Sequence, residues 1–294
     1  MASKGLARCD RRARRIPLLP LLCDPMYPVQ IFLTIGFLLT ALPAMGQATS
    51  ADDGMVRIDD GYHTPLYKTP SEFDSVQVDA FWLARYPVTN AEYLAFVKAN
   101  PEWQRSRVKA LFADEGYLRH WAGDVMLGPE APPEHPVVYV SWFAAMAYAR
   151  WQGQRLPTTT EWEYAARASE THRNGYSDPG FKARVLAHAT SNQSLRDVDR
   201  ATANVLGVHG MHDLGWEWVE DFNTQVINGD SRYNTAFDKE RFCGSGALDA
   251  TELEDYAAFL RFSVRTSLKA TDTMARLSFR LAADAPDTVR SVAQ

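Results

Sequence analysis

Thiols are scarce in this chain. Of its three cysteines, Cys9 and Cys23 lie in an N-terminal segment expected to be removed, which leaves Cys243 alone. One cysteine cannot close an internal disulfide, even where the compartment would permit one, so packing or a metal must hold the core. An excess of basic charge is also missing. The 294 residues carry 31 basic and 36 acidic side chains, a net charge of −5, and beyond residue 48 the balance falls to 25 against 34. Such a surface lacks the basic footprint that nucleic-acid phosphates require, and it disfavours broad contact with anionic lipid. No internal repeat, low-complexity tract or nucleotide-cofactor signature is present, and only one apolar run is long enough to draw attention.

That run identifies residues 1–48 as a targeting segment. The basic stretch RRARR at 11–15 precedes apolar residues from Val29 to Leu42, and the small residues of LPAMGQA follow. This is the layout of a secretory signal, with cleavage expected after Ala44 or Ala48 and export to the periplasm or beyond. Met26 is an alternative start, because the chain after it still has an apolar signal core. An uncleaved anchor is the competing reading. The run falls short of the roughly 20 residues a membrane span needs, so no stable span is expected after cleavage.

What is present in quantity is aromatic: 8 tryptophans, 12 tyrosines and 14 phenylalanines. With 46% hydrophobic residues the chain can bury one substantial core or two small ones. Alternation predicts short half-buried strands at 55–58 (MVRI), at 75–78 (SVQV) and through AFWLARYPV. Thr89 and Glu92 have the spacing of a capping box, with Val88 and Tyr93 as its hydrophobic staple, so a helix begins there and stops at Pro101. A long surface excursion covers 101–136. A strand VVYV at 137–140 is expected to feed a helix from Ser141 to Trp151, closed by Gly153. Thr158 and Glu161 repeat the capping-box spacing. Regular patterns nearly vanish after residue 170, so about three helices joined by long loops are expected. Such loops must be pinned by buried aromatics or ions.

Several blocks carry a resemblance. FWLARYPVTNAEYLAFV at 81–97, HPVVYVSWFAAMAYARWQG at 135–153 and RLPTTTEWEYAARA at 155–168 stand in order. ANVLGVHGMHDLGWEWVEDF at 203–222 and LSFRLAAD at 277–284 follow them. Together they resemble the formylglycine-generating enzyme (sulfatase-modifying factor) family over most of residues 54–284. The resemblance implies an α+β chain with the formylglycine-generating-enzyme fold, a complex C-type-lectin-like topology with few regular elements and many ordered loops. Residues 54–285 would form that domain and 286–294 a short tail.

The family includes copper-dependent oxidases that make formylglycine, iron enzymes that join sulfur to histidine betaine, and a periplasmic oxidase of a siderophore chromophore. The copper members use two cysteines. Here the first falls on Leu248 in RFCGSGALDA and no second follows, while the terminal block has Leu281 where many relatives carry cysteine. Copper(I) selects soft thiolates, so copper-thiolate chemistry is not expected.

Other candidates remain. Cys243 is either a buried small hydrophobe or a reactive or metal-binding thiol. His209 and His212, with Asp213 and Glu217 nearby, have the makings of an iron, copper or zinc site, although His209 stands where the family often has tyrosine. The family's structural calcium would map onto Asp213, Gly215 and Glu217, with its first side-chain ligand falling on Gly210, which has none. Alternatively Glu217 is a buried carboxylate accepting hydrogen bonds, perhaps from an arginine. Asn192 and Asp197 are a weaker additional calcium pair. Arg265, matched to an arginine near the family's cleft, is a candidate clamp for an acidic substrate beside Trp216 and Trp218. The alternative makes Arg261, Arg265 and Lys269 structural partners of the acidic segments EDFN at 220–223 and LEDY at 253–256.

Two functions stay open. One is an exported oxidoreductase-like or maturation factor acting on a peptide, siderophore or cofactor intermediate. The other is a non-catalytic accessory protein that assists assembly of another exported protein. Gathering of His209, His212, Glu217 and Cys243 around one solvent-reached cleft favours the first reading, and their dispersal into the core favours the second.

Overall fold

A computed structural model describes residues 54–65, 75–191, 194–223 and 253–286, with side chains of the last segment described from Ala257 onward. Seven strands and five helices lie among them. The strands are β1 (Met55–Ile58), β2 (Gly61–His63), β3 (Val76–Val78), β4 (Phe81–Ala84), β5 (Trp216–Trp218), β6 (Leu277–Phe279) and β7 (Ala282–Asp284). The helices are α1 (Asn90–Ala99), α2 (Trp142–Trp151), α3 (Thr159–Ala166), α4 (Pro179–Thr190) and α5 (Leu253–Ser267). Mostly antiparallel strands in small separate sheets, with β5 and β6 around α5 as the one parallel pair among the described residues, make the chain α+β. Among the described residues no helix is long and apolar enough to cross a membrane.

The strands form three small sheets. β4 sits between β1 and β7, antiparallel to both, with Ile58 opposite Phe81 and Leu83 opposite Ala282. β2 and β3 make an antiparallel ribbon. β5 and β6 pair in parallel, Trp216 against Leu277 and Trp218 against Phe279. The block LSFRLAAD thus serves two sheets, breaking at Arg280 and Leu281 between β6 and β7.

Both capping boxes form. The Thr89 hydroxyl accepts from the Glu92 amide while the Glu92 carboxylate accepts from the Thr89 amide, and Thr158 with Glu161 repeats the arrangement at α3. Ser141 caps α2, and Gly153 just beyond it takes φ +70°, the left-handed conformation that ends a helix without a Cβ clash.

Two expectations fail for local reasons. VVYV at 137–140 is not a strand. Tyr139 has φ +55°, which breaks the extended run, and its amide donates to the Met274 carbonyl instead. The region after residue 170 is also more regular than expected, since α4 and α5 both lie in it. Asp178 caps α4 by accepting from the Gly180 amide, with Pro179 as the first helical residue, a start signal that the surrounding polar composition masked.

Buried rings pin the long loops. Tyr93 of α1 stacks on Tyr148 of α2 at 5.6 Å between centroids, and Phe279 of β6 meets both edge-on. The Tyr93 and Tyr117 hydroxyls share a 2.7 Å hydrogen bond, and the Trp121 indole donates to Asn90. The excursion 101–136 is thereby fastened to the core through Tyr117, Leu118, Trp121 and Ala131. Rings of this size bury enough apolar surface to contribute roughly 1.5–3 kcal/mol each.

Candidate functional site

The segment from Val208 to Trp218 turns sharply because glycine permits it. At Gly215 φ is +117°, and a Cβ there would lie 2.5 Å from the Arg276 carbonyl oxygen. That close approach lets the Trp216 amide donate to the same carbonyl and starts the parallel pairing of β5 with β6. Glu217 then points inward. Its two oxygens accept from Arg280 Nε and Nη2, both at 2.7 Å, and from the Trp162 indole at 2.7 Å. Arg280 is fully buried and also donates to the Ala84 and His209 carbonyls, tying β4, the glycine-rich loop and β5 to one guanidinium.

A second buried ion cluster lies beside it. Glu163 of α3 accepts two hydrogen bonds from Nε and one from Nη2 of Arg261, and one from Arg265 Nη1 at 2.6 Å. Burial alone would raise the Glu163 pKa, but the two arginines pull it well below the usual carboxylate range. Both guanidinium groups lie over the Trp162 ring, Arg265 at 4.9 Å and Arg261 at 5.6 Å from its centroid. The partner of Arg261 and Arg265 is therefore Glu163 of α3, not the EDFN segment proposed from sequence.

Between these clusters opens a cleft of about 340 Å³, bounded by α4, α5 and the β5–β6 pair. Trp162, Trp216, His188, Arg265 and Arg276 contribute to its walls, and among the described residues Glu217 is the one acidic side chain lining it. Arg276 gives Nη1 to the Ser191 carbonyl, while its buried Nε has no hydrogen-bond partner among the described residues. Burial lowers the Arg276 pKa. Among the described residues Glu217 is paired with Arg280 and Glu163 with both Arg261 and Arg265, while Arg276 has no carboxylate partner, which leaves positive charge in excess. The cleft is therefore cationic.

His212 also lines this cleft. Its Nε2–H donates to the Ala166 carbonyl at 2.7 Å, so Nδ1 is the acceptor nitrogen. Burial, reinforced by Arg261, pushes its pKa down to about 4, and the ring is neutral at ordinary pH. His209 does not join it. Its Nδ1–H donates to the Ala201 carbonyl and its ring packs on Tyr86 at 4.7 Å, which accounts for an aromatic-like role at that position.

The remaining candidates separate likewise. Trp216 borders the cleft, whereas Trp218 is a core residue, 1% exposed, whose indole donates to the Val140 carbonyl. Asp213 accepts from Arg196 and from the Thr202 amide. Asp197 lies 3.5 Å from His135 and 3.2 Å from Arg200. Asn192 and Cys243 fall outside the described residues.

These contacts bear on metal binding. A calcium ion on Glu217 would have to sit against the Arg280 guanidinium, which already supplies the positive charge, and Asp213 is engaged by Arg196. The set Asp213, Gly215 and Glu217 as arranged does not fit calcium. Among the described residues no group of three or more His, Cys, Asp or Glu side chains is placed to hold any metal. His212 has the backbone-anchored tautomer common in metal-ligating histidines, but it stands without companion ligands there.

Reasoning from sequence missed Glu163, Arg276 and Trp162 as parts of the site. Glu163 had one available signal, a second carboxylate two residues after the capping Glu161 on a helix facing the core. Arg276 had none.

A smaller chamber of about 80 Å³ adjoins the cleft and shares Val185, His188, Met211 and His212 with it.

Comparison with known proteins finds several similar chains. The chain is 26% identical over 252 residues to the formylglycine-generating enzyme of Bos taurus, covering 71% of this chain and 67% of that one. It is 38% identical over 165 residues to the hercynine oxygenase of Mycolicibacterium thermoresistibile, covering 49% of this chain and 36% of that one. Among solved structures, PvdO from Pseudomonas aeruginosa aligns over 79% of this chain and 94% of its own, at 21% identity and a TM-score of 0.44. The sulfatase-modifying factor enzyme 1-like domain matches residues 42–285, and the chain belongs to that family.

Proposed function

We propose that this protein is an exported maturation-type member of the family that binds an anionic peptide, siderophore or cofactor intermediate in the cleft between α4, α5 and β5–β6. The observation that carries the reading is the surplus of guanidinium groups in a cleft walled by indoles. Arg261 and Arg265 are held rigidly by Glu163, so their charge is in place before a ligand arrives. Pre-organised charge of this kind lowers the ordering cost of binding. Trp216 and Trp162 offer flat apolar surface to the body of the ligand. His212, neutral and fixed in one tautomer, offers an acceptor nitrogen rather than a proton.

The carboxylate phenylacetate and its neutral amide, compared by calorimetry on the signal-cleaved protein, test this reading. The carboxylate should bind at least about tenfold tighter, the scale of one charge-assisted hydrogen bond. Equal affinities, or no binding of either, would sink it.

The oxygenase among the relatives supports an oxidoreductase-like reaction on the bound intermediate. The commitment of Glu217 to Arg280 and the turning away of His209 favour instead an accessory role, in which the cleft holds its ligand for another exported protein. Metal content by mass spectrometry, after purification without chelators or metal-binding tags, separates the two. Stoichiometric iron or copper together with oxygen consumption supports the redox reading, and calcium alone or no metal supports the accessory one.

A further inference from the structure

The two chambers differ in character. The larger carries Arg261, Arg265 and Arg276. The smaller has Phe181, Val185, Val208 and Met211 in its walls, and its charged residues are already paired, Glu170 with Arg184 at 2.8 Å and Asp213 with Arg196. His212 lines both chambers and stands edge-on to Phe181 at 5.8 Å and to Trp162 at 6.1 Å, a ring from each. In the larger chamber Arg276 lines the wall, with its Nη1 anchored on Ser191 and its buried Nε without a hydrogen-bond partner among the described residues. A buried guanidinium N–H without a partner is costly, and an acidic oxygen accepting from it removes that cost.

We infer that the ligand is an amphipathic carboxylate, with its anionic head on Arg276 and a short apolar chain reaching past His212 into the chamber beneath Phe181 and Val208. The inference rests on the reading of the cleft as an anion site and adds what lies at the other end of the molecule. The recognition is divided. Arg276 and Arg265 select the head by charge, and the small chamber selects the tail by length. It has room for a few carbons only, so straight-chain carboxylates should gain affinity up to that length and then stop. A tail of that kind occurs on acyl or branched aliphatic acids, and a bare inorganic anion lacks it.

Calorimetric titration with straight-chain carboxylates from acetate to decanoate, each set against the neutral alcohol of equal length, tests the inference. Affinity should rise about fourfold for each methylene that enters the chamber and then level off. Ala203→Leu, on a partly exposed wall of the small chamber, should abolish the dependence on length and leave the shortest carboxylates unaffected. Arg276→Gln should weaken every carboxylate about tenfold or more without changing the alcohols. Carboxylates that bind with no dependence on length, or a dependence that Ala203→Leu leaves intact, overturn the two-part ligand while the anion site stands. Alcohols that bind as well as carboxylates overturn both. Because the length series is read on the unaltered protein, failure of either variant to fold leaves the question answerable.

Discussion

His120 shows how a single residue can set a pH limit on the whole chain. It is 9% exposed, its ring lies 5.2 Å from that of Tyr139, and neither ring nitrogen has a hydrogen-bond partner among the described residues. Burial, and then the Arg119 charge beside it, lowers its pKa from 6.5 to about 4. His212 is displaced in the same direction. A base with a depressed folded pKa holds its full contribution above the unfolded value, and that contribution is lost as the pH falls from about 6.5 through about 4. Urea midpoints should therefore drop across this window. His120→Phe, which keeps a ring against Tyr139 and removes both nitrogens, should flatten the drop and raise stability at pH 5 by about 1 kcal/mol or more. An unchanged pH slope in that variant would show that other groups carry the acid sensitivity. Glu163 illustrates the complementary case, a carboxylate kept ionised in the interior because guanidinium groups reach both of its oxygens.

At the scale of elements, helix α3 does more than its eight residues suggest. Its first turn is capped by Thr158. Its Glu161 closes the capping box and also takes two 2.7 Å bonds from Arg155, which reaches on to Asp284 of β7. Its Trp162 bridges to Glu217, and its Glu163 holds α5 through Arg261 and Arg265. The capping box was legible in the sequence because its chemistry is local, a hydroxyl and a carboxylate three residues apart. The reach of Glu163 to α5, about a hundred residues along the chain, was not. Thr158→Ala should cost about 1 kcal/mol through the lost cap. Glu161→Ala should cost clearly more, since it also releases Arg155 from α3. Equal losses by chemical denaturation would mean that the Arg155 bridge contributes nothing beyond the cap.

Across the whole molecule, one carboxylate–guanidinium pair stands where several segments meet. Glu217 and Arg280 join the glycine-rich loop, the β5–β6 pair, α3 and β4 through hydrogen bonds that engage both oxygens of Glu217. A divalent cation is not needed to neutralise that carboxylate. Chelation with EGTA should accordingly leave the thermal midpoint of the purified protein within experimental error, and restoring calcium should not raise it. A midpoint that falls on chelation and recovers with calcium would place the ion elsewhere in the fold and make it part of the stability of the chain. The aromatic core supplies the rest of the cohesion, with Tyr93, Tyr148 and Phe279 fastening helices and strands that share few regular contacts.

Local chemistry and block order were enough, from sequence alone, to establish the α+β class, the family, the starts of α1, α2 and α3, and the strands of residues 55–58 and 81–84. These depend on short-range patterns, alternation and capping spacings, that need no knowledge of distant residues. The count of three cysteines, two of them in the N-terminal segment, carried only the expectation that no paired-thiolate site forms. Only the tertiary structure decided what the polar candidates do. His209 and His212 are three residues apart, yet one bonds the Ala201 carbonyl and the other the Ala166 carbonyl on different walls. Trp216 and Trp218 are two apart on β5, a spacing that alone would put both on one face, yet Trp216 borders the cleft and Trp218 lies in the core. Whether Glu217 meets a metal or a guanidinium depends on Arg280, which lies 63 positions away in sequence and 2.7 Å away in space. Spacing along the chain specifies neighbours within one element, and the pairing of buried charges is settled only when distant elements close on one another.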